Sequence, residues 1–162
     1  MAFRFVRSAG SVHEPATINM PASGTVRPGM AVEFTRGSVT AQGFVGPASS
    51  SSTTTNIFGV CLDYAQGASD VAVRVIPFVP GQIWEADCVS AISTLSIGKK
   101  QQLYGSNSVL INNNAYDSTN ATGVFLVLAI TGATTGSGKV LGEFLRTPAG
   151  VHQAGIAGEL YY

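Results

Sequence analysis

The segment with the most chemical promise is Gly132-Ala-Thr-Thr-Gly136-Ser-Gly138-Lys139, which follows the apolar run Val124–Ile130. A glycine-rich turn between a strand and a lysine outlines a phosphate cradle, in which backbone N–H groups wrap the phosphates and the ammonium neutralises them. The spacing does not fit. Five residues, not four, separate Gly132 from the Gly138-Lys139 pair, and counting back the required distance from Gly138 lands on Ala133. The position after the lysine, where a hydroxyl should hold Mg²⁺, is Val140. No strand–helix–strand alternation surrounds the segment, so it reads as a glycine-rich β-hairpin loop and not as a nucleotide site.

The remaining reactive side chains form no catalytic pattern. No Gly-x-Ser-x-Gly elbow is present. The two histidines, His13 and His152, sit in Gly- and Pro-flanked stretches near the ends of the chain. A pairing of either with Cys61 or Cys88 stays open, but two Cys and two His arise readily by chance in a chain this long. No close-spaced Cys/His cluster suggests zinc, and Asp63, Asp70, Asp87 and Asp117 are too isolated for a calcium loop. Glu85 and Asp87 share one face of a strand, where solvated carboxylates are the ordinary outcome. The expectation is a protein that is not an enzyme and needs no cofactor or metal.

Composition narrows the class. Val, Leu, Ile and Phe supply 43 of 162 residues, enough for a packed core. Charged residues are only 11% of the chain, nine basic against nine acidic. A neutral surface of Ser, Thr, Asn and Gln suits a protein that lives within an assembly. The scattered basic residues argue against nucleic acid as a partner. Val124–Ile130, the longest apolar run, is too short to span a bilayer, and no signal-peptide core opens the chain. A cytoplasmic site of synthesis follows, with Cys61 and Cys88 as buried free thiols.

Long helical periodicity is missing, and 26 Gly and Pro residues cut the chain into strand-sized pieces. Strands are expected near Phe3–Arg7, Thr17–Met20, Met30–Thr35, Val39–Val45, Ile57–Tyr64, Val71–Phe78, Gln82–Cys88, Gln101–Tyr104, Ser108–Ile111, Val124–Thr131 and Lys139–Leu145, with a helical turn allowed in Val89–Ile97. Ala48–Thr55 and Asn112–Asn120 are low-complexity stretches that read as mobile hairpin loops. The fold class is therefore all-β, a β-barrel or β-sandwich with extended N- and C-terminal arms.

A repeat is suggested by the order of elements. Gly29-Met-Ala-Val-Glu-Phe, the Ser/Thr loop, Phe-Gly59-Val-Cys and Val71-Ala-Val-Arg-Val are answered by Gly98-Lys-Lys-Gln-Gln-Leu, the Asn loop, Thr-Gly123-Val-Phe and Lys139-Val-Leu-Gly-Glu. Shared hairpin grammar without duplication gives the same order. The corresponding division is an N-terminal arm and first strand over 1–24 and a first β module over 25–95. A second module, or continuation of the same barrel, spans 96–146, and a tail spans 147–162.

Partner-binding candidates are the alternating Phe3, Arg4, Phe5 and Arg7, and the tail residues Leu160, Tyr161 and Tyr162. An N-terminal arm of this kind can add to a neighbour's sheet edge; equally, it can be the first strand of the chain's own barrel. Trp84 suits core packing better than a ligand platform.

The order Gly-Met-Ala-Val-Glu-Phe, Phe-Gly-Val-Cys-Leu, Val-Ala-Val-Arg-Val, Pro-Gly-Gln-Ile-Trp-Glu-Ala, at Gly29–Phe34, Phe58–Leu62, Val71–Val75 and Pro80–Ala86, resembles capsid decoration (cement) proteins of tailed bacteriophages. The resemblance covers about residues 25–145. It implies small β-barrel or β-tulip-like modules and copies seated on the outside of the mature capsid. It also implies a major capsid protein as partner, bridging of neighbouring capsid subunits, and no catalytic residues. Self-association is expected, a trimer ahead of a dimer, with the virion exterior as location. The competing reading is another virion part, such as a tail or fibre module, or a carbohydrate-binding β-sandwich presenting Trp84 with Tyr64 or Tyr104.

Overall fold

The computed structural model describes residues 3–8, 15–35, 43–66, 71–105, 110–116, 122–132 and 138–146. Among these it is all-β, with eleven strands: β1 Arg4–Ser8, β2 Ile18–Ala22, β3 Ala31–Thr35, β4 Phe44–Pro47, β5 Ile57–Cys61, β6 Val71–Pro77, β7 Gln82–Cys88, β8 Lys100–Leu103, β9 Leu110–Tyr116, β10 Phe125–Ile130 and β11 Lys139–Phe144. The allowed helical turn is a single 3-10 turn, Thr94–Ser96.

The first ring, β2-β4-β3-β5-β6, is a closed barrel. The other sheet has the order β1-β7-β11-β10-β8-β9, and β9 pairs back onto β7 through Asp87↔Leu110 and Cys88↔Ile111. That pairing closes β7-β11-β10-β8-β9 into a second ring. β1 fills the remainder of the same β7 edge, with Arg4 opposite Glu85 and Ser8 opposite Gln82.

The two rings have one topology. In each, the first and third strands are parallel neighbours (β2 with β4, β7 with β9), and the other four pairings are antiparallel. The correspondence extends to single residues. Val45 pairs with both Ala22 and Phe34, as Ile111 pairs with both Cys88 and Leu103. Gly29 N–H donates to the Cys61 carbonyl and Cys61 N–H to Met30, as Gly98 donates to Val127 and Val127 to Lys99. Gly29 (φ 78°) and Gly98 (φ 79°) both stand two residues before a strand, in the left-handed region that glycine enters without strain.

This geometry corrects the expected alignment. Gly59 pairs with Val32, and Phe125 pairs with Gln101, so Gly59 corresponds to Phe125 and not to Gly123. A slip of two residues leaves every side chain on its own face, so alternation cannot detect it. The module limits move as well. β2 belongs to the first barrel and β7 to the second, so the boundary lies between β6 and β7 and not near residue 95. The opening strand of each module pairs with the closing one, far along the chain, and no local turn marks it. β9 also runs into the Asn segment expected to be a loop.

The barrels share one core. Ala31, Ala48, Ile57, Val60, Ile76 and Phe78 from the first half pack in one cluster with Trp84, Phe125, Val127, Val140 and Phe144. Phe144 stacks on Phe78 (ring centroids 3.8 Å) and meets Phe3 and Phe125 edge-on, each at 4.9 Å. Gln101 takes the place that Val32 holds in the first barrel. It is fully buried, and neither amide atom has a protein hydrogen-bond partner.

Two stability effects follow. Phe3→Ala should lower unfolding free energy in urea by about 3–5 kcal/mol, the range for emptying a buried phenyl site. Gln101→Met, nearly isosteric, should raise it by about 1–2 kcal/mol by removing two unsatisfied buried polar atoms. A fall on this change would show that the amide has a partner, such as a buried water.

Candidate functional site

β1 answers the question left open by the sequence. It is a strand of the chain's own sheet, and Phe3 is 3% exposed within the core. Phe5 lies edge-on to Trp84 at 5.4 Å, and Arg4 bridges to Glu85 at 3.1 Å. The phenyl ring of Phe3 is therefore a core group, and the partly buried ring of Phe5 packs against that core. Arg4 and Arg7 remain exposed. Leu160, Tyr161 and Tyr162 lie outside the described residues, as do His13, His152, Asp70 and Asp117.

Lys139 opens β11, and its carbonyl accepts from Thr131 and Gly132 N–H, which closes a hairpin. Its ammonium faces Asp87 (3.4 Å) and Glu85 (3.7 Å) across the sheet. A strand and two carboxylates stand where a phosphate site needs a helix and a hydroxyl. Glu85 and Asp87 share a face as expected, and cations hold both. Trp84 is 1% exposed among Phe5, Phe78 and Phe144. A glycan platform would have to do without it, although Tyr64 and Tyr104 are exposed. Among the described residues no cluster of three His, Cys, Asp or Glu is placed to hold a metal.

The Ser/Thr stretch, expected as a mobile hairpin loop, makes a network of hydrogen bonds. Glu33 Oε2 accepts from Ser52 Oγ (2.5 Å) and from Asn56 Nδ2 (3.0 Å), and Ser52 Oγ accepts from Ser49 N–H at 2.7 Å. Ala48 is buried, and Ser50 N–H donates to the Gly105 carbonyl of the second barrel at 3.0 Å. Short hydroxyl side chains that close turns on their own backbone let a segment poor in apolar residues hold one shape.

The feature that sequence reasoning missed is on the outer face of the second barrel. Register places Lys100, Leu126 and Glu143 in one row across β8, β10 and β11. Leu128 occupies the bulge between Val127 and Ala129 and is 43% exposed. Ser93 Oγ accepts from Leu95 N–H and caps the 3-10 turn, which holds Leu95 out at 75% exposure. The bond from Gly98 N–H to the Val127 carbonyl ties the segment that carries Ile97, 46% exposed, to β10. Leu95, Ile97 and Leu128 are thus exposed aliphatic side chains of the second half of the chain, called the ledge below. The available signal was Leu95 itself, an aliphatic residue among Ser93, Thr94 and Ser96.

At the junction of the barrels lies a cleft of about 390 Å³ lined by Thr54, Pro80, Lys100, Glu143, Phe144, Leu145 and Arg146. The Arg146 guanidinium lies over the Phe58 ring (5.0 Å) and near Phe34 (5.9 Å), which are first-barrel residues. Burial pushes its pKa below the ordinary arginine value. Glu143 Oε1 accepts from Gly81 N–H at 2.6 Å.

Both cysteines are buried free thiols. Desolvation pushes Cys88 up to about 12, with the Asp87 charge adding to it, and burial raises Cys61 as well. A thiol whose pKa is higher folded than unfolded gives stability that is complete below about pH 8.5 and is lost as pH rises toward the folded value. Neither thiol should react with Ellman's reagent at pH 8 in the native protein, and both should react in guanidinium. Rapid native labelling of either would contradict the buried assignment.

No family model matches the chain, and no curated protein matches it. The functional reading is carried by the sequence and the geometry of this chain.

Proposed function

We propose that this protein decorates a tailed-phage capsid: copies bind the outer surface of the assembled shell and stabilise it by bridging neighbouring major capsid subunits, without catalysis. The observation that carries the reading is the exposure of the aliphatic side chains Leu95, Ile97 and Leu128 on a neutral double barrel. Three aliphatic side chains of this size contribute about 1.5–3 kcal/mol each when fully buried, before ordering costs. One such contact is weak; repeated by symmetry over a shell, it becomes a clamp. Low charge limits repulsion between closely spaced copies. Self-association, as a trimer in preference to a dimer, belongs to the same reading. So do assembly in the host cytoplasm and residence on the virion exterior.

The resemblance of Gly29–Phe34, Phe58–Leu62, Val71–Val75 and Pro80–Ala86 to decoration proteins supports the same conclusion. Co-sedimentation with expanded capsids and with isolated capsid subunits tests it. The wild-type chain should bind the capsids alone. Leu95→Asp should weaken that binding by roughly 30-fold or more, a hot-spot effect, with the melting temperature unchanged. Equal binding by the variant, or no capsid binding by the wild type, would sink the proposal.

A further inference from the structure

Leu128 of the ledge and Lys100 of the junction cleft share one face of the second barrel, because Lys100 and Leu126 are register partners and Leu128 follows Leu126 on the outer surface. The five described carboxylates all have partners: Glu33 with Ser52 and Asn56, Asp63 with Arg74, Glu85 with Arg4 and Lys139, Asp87 with Lys139, and Glu143 with the Gly81 N–H. Lys100 and Arg146, both lining the cleft, have no ion-pair partner among the described residues. We propose that this cleft binds a carboxylate side chain of the capsid partner, carried on a surface segment whose neighbouring aliphatic residue packs on the ledge. The inference rests on the capsid-binding reading and adds the chemistry of the partner's contact.

Four features favour a carboxylate. Arg146 is pinned between the end of β11 and the Phe58 ring, so its planar fork is oriented before anything binds. Its Nε is buried with no hydrogen-bond partner, and an incoming anion offsets the cost of that desolvated charge. Pro80, Phe144 and Leu145 supply apolar surface beside the two cations, which lowers the local dielectric on one side of an ion pair formed there. Glu143 opposes the anion, but its oxygen is committed to Gly81, and two cations against one carboxylate leave the cleft positive. A volume near 390 Å³ is at the low end for ligand sites and suits a side chain.

The test is an NMR titration of the ¹⁵N-labelled full chain with acetyl-Leu-Glu-Leu-amide and with its Gln counterpart. The Glu peptide should shift amides of residues 95–100, 128 and 143–146. The Gln peptide, and the exposed-site variant Lys100→Gln, should each bind at least 10-fold more weakly, with the preference fading at high salt. Equal binding of the two peptides, shifts elsewhere or no shifts would overturn the proposal. Movement of the Lys100 and Arg146 signals on Glu159→Gln, with no peptide present, would assign the cleft to the chain's own carboxylate and overturn the partner assignment. Capsid co-sedimentation separates the two readings. Loss of binding with Leu95→Asp but not with Lys100→Gln removes the cleft from the contact and leaves the capsid reading standing. No capsid binding by the wild type removes that reading, while the peptide titration still decides the cleft.

Discussion

The ring of Phe144 is the contact on which the rest of the structure depends. It stacks on Phe78 in the crossing from β6 to β7, and it meets Phe3, Trp84 and Phe125 on its other sides. These groups come from the first described residue, the joint between the barrels, and three strands of the second ring. Aromatic edge and stacking geometry is directional, so the cluster fixes orientation as well as burying area. It sets the register of β11, which in turn places Glu143 at Gly81 and Arg146 over Phe58. The cleft is thus a consequence of core packing one residue away.

Equivalent positions in the two rings show how differently one topology can be filled. The ring order and the left-handed glycines at positions 29 and 98 are common to both. The fillings differ: Val32 against Gln101, Gly59 against Phe125, Pro77 against Phe144. Gly59 is held small because a Cβ there would lie 2.3 Å from the Ile76 carbonyl oxygen. The corresponding site in the second ring accepts a phenyl group that reaches the shared cluster. The first barrel keeps a smaller core of Val26, Val32, Val45, Phe58 and Val73, and lends its other face to the joint.

Most of the strands were legible because glycine punctuation and alternation are local signals. β7 was expected with the bounds it has, and the strands expected at Val71 and Lys139 begin there. What escaped depends on partners distant in the chain. The two-residue register of the repeat preserves face, and membership of β2 and β7 is decided by pairing with a strand more than fifty residues away. The hydrogen-bond network of Ala48–Thr55 includes the carboxylate of Glu33, whose role no composition rule assigns. The ledge escaped because a sequence does not distinguish an aliphatic residue that faces the core from one that faces water. Arg146 carries no pattern at all; only the fold brings it to Phe58 and Lys100.

Ring closure also constrains how the protein can associate. Every strand of the two rings has neighbours on both sides, and among the described residues β1 is paired on one side alone, to β7. An open edge invites strand addition by a partner, yet β1 has several features that discourage it. It is five residues long, carries exposed Arg4 and Arg7, and has a register break between Phe5 and Arg7 that bends it away from flat pairing. Backbone hydrogen bonding is therefore a poor route to partners for this fold. Among the described residues, side-chain faces are the surface left to association, and protruding aliphatic groups and cations without an ion pair stand out on it. Leu95, Ile97 and Leu128 supply the first, and Lys100 and Arg146 the second. On the capsid-binding reading proposed above, closed rings move recognition from strand edges to side-chain faces, and the face carrying Leu128, Lys100 and Arg146 suits a partner with an aliphatic group and an anion.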